Sequence, residues 1–466
     1  MQIKKISLKS VFLQIIIITS YSLYSCVSSK PEEPRYYSGN PLLPGDFADP
    51  CLLVHQDTFY LYATAWDSKD AIVWYSPDFQ NWKMKKLNWP TADVGLPIWA
   101  PCVVQGKDGR FYFYSSTSHC IYAGVADHPA GPFRNLLPNE EPLVRNRQYW
   151  DHMHTIDADC FVDDDGQAYL YWGSGFDFKN GICAVARLND DMCSFKENPI
   201  EITPANYFEA PHMAKRDSIY YLMYSDGICI EDSYKIRYAT SKSPMGPFVE
   251  GENSPILTNT PDSLSWSSGH HYTIRLGDED YIVYHKQAIP VYTPFWGPIR
   301  QVAMDKLVFE TSAARIENVV PTREGICIDN LSKDLRVKKR LIPQTVTASQ
   351  SVNDRYAPSN AFDEHNGTLW GAPTAAAQWI LADFGNTVAI SSVEPVFDIV
   401  DGDYEYRIEY STNGEEWSLY DAANNAAHDE WPHEHRKAIE ARYLRLNIAG
   451  QTKEPNRVGL WELRVF

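Results

Sequence analysis

The sequence predicts an all-β protein, a five-bladed β-propeller followed by a β-sandwich of the jelly-roll kind. Three observations lead there. Between residues 40 and 325 short apolar runs alternate with period two, and helical periodicity is almost absent. Five aromatic runs in that stretch rhyme with one another: Phe59–Tyr62, Phe111–Tyr114, Ala168–Tyr171, Ile219–Leu222 and Tyr281–Tyr284. From residue 343 onward the pattern changes to longer strand-like segments around the hairpin signal Asn413-Gly414.

Composition sets the outer limits. The chain has 466 residues, 44% of them hydrophobic, with 29 Tyr, 14 Trp and 30 Pro, so it folds and is rich in turns. That length exceeds one typical core and predicts two domains. The formal net charge of −18 argues against a nucleic-acid partner, and no basic cluster is read as one that would bind phosphates.

In chain order, the first element is an export signal. Lys4, Lys5 and Lys9 precede a short apolar stretch from Val11 to Ile18, and Leu23-Tyr24-Ser25-Cys26 reads as a bacterial lipobox with Cys26 as the lipidated residue. The stretch is shorter than the roughly 20 apolar residues of a spanning helix. Residues 1–26 are therefore expected to be a lipoprotein signal peptide and 27–39 a tether, which makes the chain an exported lipoprotein that meets the membrane through its lipid anchor alone. The eight cysteines beyond Cys26 form no CxxC pair, which argues against zinc. Most of them lie in apolar runs, where Cys acts as a small hydrophobe.

Residues 40–328 carry the repeat. The turns at Gln56-Asp57, Lys107–Gly109, Asp163–Gly166, Arg216-Asp217 and Gly277–Asp280 each divide an apolar strand from one of the rhyming aromatic strands. A later element rhymes too, in Ser76–Trp82, Ala130–Phe133 and Pro244–Phe248. A repeat of roughly 50 to 60 residues, five times over, reads as propeller blades. The innermost strand of each blade lines the central channel, and Asp49, Trp99, Asp157, Glu209 and His270 stand at or just before those strands. Residues distant in sequence are thereby brought to one funnel. Three carboxylates over one pocket suit glycoside hydrolysis: one deprotonates water, one protonates the leaving oxygen, and a third orients or raises the acid.

The motifs Ala48-Asp49-Pro50, Trp99-Ala100-Pro101, Ile156-Asp157 followed by Phe161–Gly166, Glu209-Ala-Pro-His212 and Gly269-His270 occur in this order. Together they resemble glycoside hydrolase family 43. The resemblance implies an inverting glycosidase on plant poly- or oligosaccharides, of the α-L-arabinofuranosidase or β-D-xylosidase type. It assigns Asp49 as general base, Glu209 as general acid and Asp157 as the residue that tunes and orients the acid. Asp46 and Asp159 are the competing neighbours; Pro50 favours Asp49 and the Ile-Asp register favours Asp157, although Ala158 stands where the family often has proline. The resemblance also places Arg300 near the sugar and His270 on the channel axis, near a calcium or sodium ion with its waters. Trp66, Trp99, Trp172 and Phe208 are candidates to wall the sugar pocket. The loops Trp66–Asp70, Thr117–Ile121, Phe176–Asn180, Gly227–Tyr234 and Ala288–Trp296 are expected to set its depth. No cofactor is expected in the chemistry. The competing reading is an inactive, lipid-anchored carbohydrate-binding protein, and the presence of both Asp49 and Glu209 speaks against it.

Residues 329–342 read as a linker. From 343 to 466 the segments Ala361-Phe-Asp363, Thr368-Leu-Trp370, Gln378-Trp-Ile380, Asp383-Phe-Gly385 and Gly459–Phe466 resemble a discoidin-like (coagulation factor 5/8 C-type) module, an eight-stranded jelly roll. The resemblance implies a structural calcium, for which Asp363, Asn366, Thr368 and Glu462 would supply oxygens. Trp431, His433 and His435 are read as loop-tip residues, and the module as either a sugar binder or a packing partner.

Overall fold

The structure is a computed structural model, and it describes residues 36–466 except 66, 67, 69, 88, 90–96, 289–298, 329–337, 400, 401, 426–429 and 452–456. The signal, Cys26 and Trp66 lie outside the described residues. Among those described, no helix is long and apolar enough to cross a membrane.

The five rhyming runs are the second strands of five antiparallel blades. Blade 1 holds Phe47–His55, Thr58–Ala65, Ile72–Ser76 and Lys83–Lys86; blade 2 holds Trp99–Gln105, Phe111–Thr117, Cys120–Ala126 and Arg134–Asn135. Blade 3 follows with Asp159–Val162, Ala168–Trp172, Ala184–Arg187 and Ile200–Glu201, and blade 4 with Glu209–Arg216, Ile219–Asp226, Lys235–Ser241 and Val249–Glu250. Blade 5 is the three strands Gly269–Leu276, Glu279–Gln287 and Arg300–Leu307.

The aromatic runs are apolar on both faces because each blade is covered on both sides. Phe111 and Phe113 pack toward blade 1, while Tyr112 and Tyr114 on the opposite face pack toward blade 3. The same alternation puts Tyr169 and Tyr171 against blade 4, and Tyr221 and Met223 against blade 5. The ring is closed by the segment before blade 1. The amide side chain of Asn40 mimics a strand residue: its Oδ1 accepts from Met304 N (2.9 Å) and its Nδ2 donates to Met304 O (3.2 Å). Leu42 N then bonds Val302 O at 2.8 Å.

The C-terminal module is one curled sheet of seven strands around its own core of Trp370, Ile380, Phe397, Ile408, Leu446 and Leu460. An eighth strand, Glu430–Trp431, leaves that sheet and pairs with Lys83–Lys86 as the outer edge of blade 1. Trp431 is therefore not at a free loop tip. It is 3% exposed and meets Trp74 edge-on at 5.2 Å, in a core shared by blade 5, blade 1 and the module residues Leu369, Val396 and Trp461. His435 is likewise buried, held by Tyr406 and Asp421 at 2.9 and 2.8 Å. A strand completes its hydrogen bonds wherever a free edge is offered, and blade 1 offered one. Arg464 Nη1 reaches Trp82 O (2.9 Å), and Asn366 Nδ2 reaches Leu42 O (2.8 Å), so polar bonds also cross the joint.

Candidate active site

Near the start of each inner strand stands a residue in the left-handed region: Asp49 (φ 53°), Ala100 (47°), Asp157 (61°), Ala210 (57°) and His270 (37°). In four blades a register shift against the second strand accompanies it, between Ala48 and Cys51, Trp99 and Cys102, Glu209 and His212, and Gly269 and His271. Such bulges re-aim side chains, and the strain of a non-glycine residue at positive φ persists only where its surroundings fix it.

A ring of bonds between blades does the fixing. Thr64 Oγ1 accepts Ala100 N (2.9 Å), Ser116 Oγ accepts Asp157 N (3.0 Å), Ser225 Oγ accepts His270 N (2.9 Å), and His285 Nδ1 accepts Asp49 N (3.2 Å). Each acceptor sits on the second strand of the preceding blade, opposite its bulge. Blade 3 has Gly173 at this place, and a Cβ there would lie 2.1 Å from Ile182 O. With no side chain available, the Asp157 carboxylate itself takes the Ala210 amide.

At the mouth, Asp49 is the most surrounded acid. Its Oδ2 accepts from Thr64 Oγ1 (2.6 Å), and its Oδ1 lies 3.3 Å from Arg300 Nη1, 3.3 Å from His270 Nδ1 and 3.1 Å from His285 Nδ1. Burial alone would raise its pKa, but the opposing charges win and hold it well below the usual carboxylate range. His270 and His285 are themselves pushed down by burial, His285 to about 4, so at neutral pH the fixed charge of Arg300 keeps Asp49 ionised. Asp46, the competing neighbour, spends its Oδ1 on Arg300 N (2.8 Å) and so positions that arginine.

Glu209 stands in the opposite setting. Burial raises its carboxyl, against hydrogen bonds from Tyr234 OH to Oε1 (2.7 Å) and Ser174 Oγ to Oε2 (2.8 Å). Asp157 is raised well above its ordinary value by burial, then by the negative charges of Glu209 and Asp49. Its carboxyl lies 3.9 Å from His270 Nδ1. One acid is thus held ionised beside two that favour protons, which is how a site separates a base from an acid.

Asp159, two positions on, belongs to the layer below. Its Oδ2 accepts Met213 N (3.0 Å) and its Oδ1 meets His212 Nδ1 (3.1 Å). Thr273 N donates to His212 Nε2 (3.0 Å), which leaves the imidazole proton on Nδ1 for Asp159.

Of the proposed pocket walls, Trp99 is half-buried at the channel rim, and Phe208 is buried just ahead of Glu209. Trp172 is a correction. It is 0% exposed and stacks on Phe195 at 5.5 Å between blades 2 and 3, because its strand turns that face into the interblade core. Sequence reasoning missed Thr64, Ser174, Tyr234 and His285, which hold the two acids. Tyr234 bonds Glu209 and stacks on His285 (5.6 Å, 9°), so one ring pair spans the acid and the base. The available signal was a polar residue just past the aromatic runs, as in Tyr62-Ala-Thr64, Tyr114-Ser-Ser116 and Tyr284-His285.

No group of three or more His, Cys, Asp or Glu side chains that could hold a metal occurs among the described residues. His270 Nδ1 faces the carboxyls of Asp49 and Asp157. In the module, Asn366 Oδ1 and Glu462 Oε1 are buried with no hydrogen-bond donor among the described residues, Arg340 Nη1 lies 3.5 Å from Glu462 Oε2, and burial pushes the Glu462 carboxyl up to about 7. Orphaned oxygens suit a hard cation. Thr368 Oγ1 bonds Asp363 Oδ2 at 2.7 Å at the same loop.

The glycosyl hydrolases family 43 model matches residues 38–312, and the F5/8 type C domain model matches residues 345–463. A β-D-galactofuranosidase (xynD) of Aspergillus niger is 32% identical over 278 residues, which cover 54% of this chain and 77% of that protein. A xylosidase/arabinosidase of Bacteroides ovatus is 28% identical over 324 residues, covering 57% of this chain and 91% of that protein. A solved structure titled glycoside hydrolase superposes with a TM-score of 0.78 at 28% identity, over 92% of this chain and 99% of its own. A five-bladed propeller with its acids sorted by charge at the channel mouth, matched over most of its length by one family, is a glycosidase, and the chain belongs to glycosyl hydrolase family 43.

Proposed function

We propose that this glycosidase cleaves single α-L-arabinofuranosyl or β-D-xylosyl units from plant polysaccharide side chains or oligosaccharides, with inversion. The observation that carries the chemistry is the opposed setting of two carboxyls, Asp49 held ionised by Arg300 and Glu209 raised by burial. Asp49 takes a proton from water as that water attacks the anomeric carbon. Glu209 gives its proton to the departing glycosidic oxygen. Attack and departure on opposite faces invert the anomeric centre. Asp157 binds the Ala210 amide and so fixes the backbone next to the acid, and its own reluctance to ionise keeps a second negative charge away from Glu209. The sugar type follows the relative named xylosidase/arabinosidase, and the galactofuranosidase relative favours a second reading, a β-D-galactofuranoside. Leu23–Cys26 supports export and lipid anchoring of the mature chain. A structural calcium at Asp363, Asn366, Thr368 and Glu462 would tie the module loop to the strand that precedes the C-terminus.

The test is hydrolysis of aryl α-L-arabinofuranoside, β-D-xyloside and β-D-galactofuranoside by the chain from Lys30 to Phe466, beside Glu209→Gln and Asp49→Asn. Turnover of one glycoside, lost in both variants, is the expected result. Turnover that survives both overturns the assignment of the acids, and sugar binding without any turnover favours the binding-protein reading.

A further inference from the structure

A continuous line of rings runs from the channel rim along blades 2 and 3. Trp99 meets His119 edge-on at 5.6 Å, His119 meets His154 at 4.6 Å, and His154 meets Phe176 edge-on at 5.2 Å. The guanidinium of Arg147 covers the Phe176 ring at 4.0 Å. All four rings are half-buried, each keeping part of its surface open to solvent. Trp99 opens the inner strand of blade 2, and three further segments carry the others: the turn after Phe111–Thr117, the short strand Met153–His154, and the one-turn helix Phe176–Phe178.

This line is tied directly to the proposed acid. Met153–His154 pairs with Ser174–Gly175, placing His154 opposite Ser174, and Ser174 Oγ holds Glu209 Oε2. The loop that follows is seated on the residue before the acid. A Cβ on Gly175 would lie 2.5 Å from the Phe208 ring, and one on Gly181 would lie 2.1 Å from Phe208 O, so glycine at both places brings the loop against Phe208. The segments are also strained where they bear the wall: Ser118, His119, Arg147 and Phe178 have φ of 51°, 58°, 56° and 55°. At Ser118-His119 the two-residue turn between Thr117 and Cys120 demands that geometry, which fixes where the His119 ring stands.

We propose that His119, His154 and Phe176, with Arg147, form the subsite for the departing part of the substrate, and that its occupant is a neutral sugar ring of the polysaccharide to which the cleaved unit is attached. This rests on the reading of Glu209 as the acid that protonates the leaving oxygen. The leaving group must lie on the acid's side of the scissile bond, and His154 in this line stands opposite Ser174, whose hydroxyl holds the acid. Sugar sites pair aromatic faces with a few polar groups, and here the imidazoles and the guanidinium supply the polar edge. Burial, then the charge of Arg147, lowers the pKa of His119, so at neutral pH its ring offers a neutral hydrogen-bonding edge suited to hydroxyls.

The test separates the two halves of the substrate. A glycosyl fluoride of the cleaved sugar places nothing beyond fluoride in the proposed subsite, whereas the matching oligosaccharide fills it. For Phe176→Leu, which keeps apolar bulk, and for His154→Gln, kcat/KM on the oligosaccharide divided by that on the fluoride is expected to fall about tenfold, the scale of a lost ring contact. Val249→Ala, at an exposed outer strand of blade 4, serves as the control. Thermal melting of each variant separates loss of fold from loss of contact. A ratio that does not move in folded variants overturns the subsite while leaving the glycosidase reading intact. A wild-type chain that hydrolyses neither substrate overturns both.

Discussion

Asp157 and Asp159 stand two positions apart where blade 3 begins, and the fold puts them to opposite uses. Asp159 is met by the Met213 amide and by a histidine whose proton is already directed at it. Asp157 lies at the mouth, where the Ala210 amide is outweighed by burial and by two other carboxyls. The lower aspartate joins blade 3 to blade 4 and, through His212 and Thr273, to blade 5. The upper one fills a gap in the ring of bonds between blades that a hydroxyl or, in blade 5, an imidazole fills elsewhere. A buried carboxylate stabilises where donors match it, and becomes a proton carrier where other acids surround it.

The contrast yields separable predictions. The largest effect belongs to the mouth: Glu209→Gln and Asp49→Asn should each lower kcat by about 10²–10⁴, the usual worth of a positioned acid or base, on natural glycosides. Asp157→Asn retains an acceptor for the Ala210 amide and should lose about 10²-fold in kcat with little change in melting temperature. Asp159→Asn should do the reverse, costing about 1–3 kcal/mol in urea unfolding while the folded enzyme keeps most of its rate. If Asp157→Asn unfolds the protein and Asp159→Asn abolishes turnover, the division between the two layers is wrong.

The module joint extends the comparison to stability alone. Trp431→Ala removes a buried ring from the shared core and should cost about 3–5 kcal/mol, read as a single earlier unfolding transition of propeller and module together. Two separate transitions in the wild-type chain would contradict a common core. The smallest effect concerns Glu462. Its folded pKa is raised to about 7, so the folded state binds the extra proton and stability falls as pH rises from the ordinary carboxyl value toward 7. Calcium binding would offset that loss, so at pH 8 calcium should raise the melting temperature, and Glu462→Gln should remove the increase.

Much of this was legible in the sequence, for identifiable reasons. The aromatic runs repeat because every second strand is covered on both faces, and that constraint is written into each blade independently. The acids could be found because each opens an inner strand. What the sequence did not show is contact between blades. Nothing local distinguishes Trp172, turned into the core, from Trp99 at the rim. His285 and Tyr234 act on acids far away in the chain, and Gly173 matters only because its neighbours in the ring carry hydroxyls. Trp431 was misread for the same reason: its partner strand lies in blade 1.

The central claim is that Asp49 works ionised and Glu209 works protonated, and the pH dependence of kcat/KM measures it most directly. Activity should fall at acid pH as Asp49 takes up a proton, below the ordinary carboxylate range, and at alkaline pH as Glu209 loses one, above its ordinary value. With a glycosyl fluoride, whose leaving group needs no proton, Glu209→Gln should keep the acid limb and lose the alkaline one. An alkaline limb that persists unchanged in Glu209→Gln would show that the titrating acid is another group.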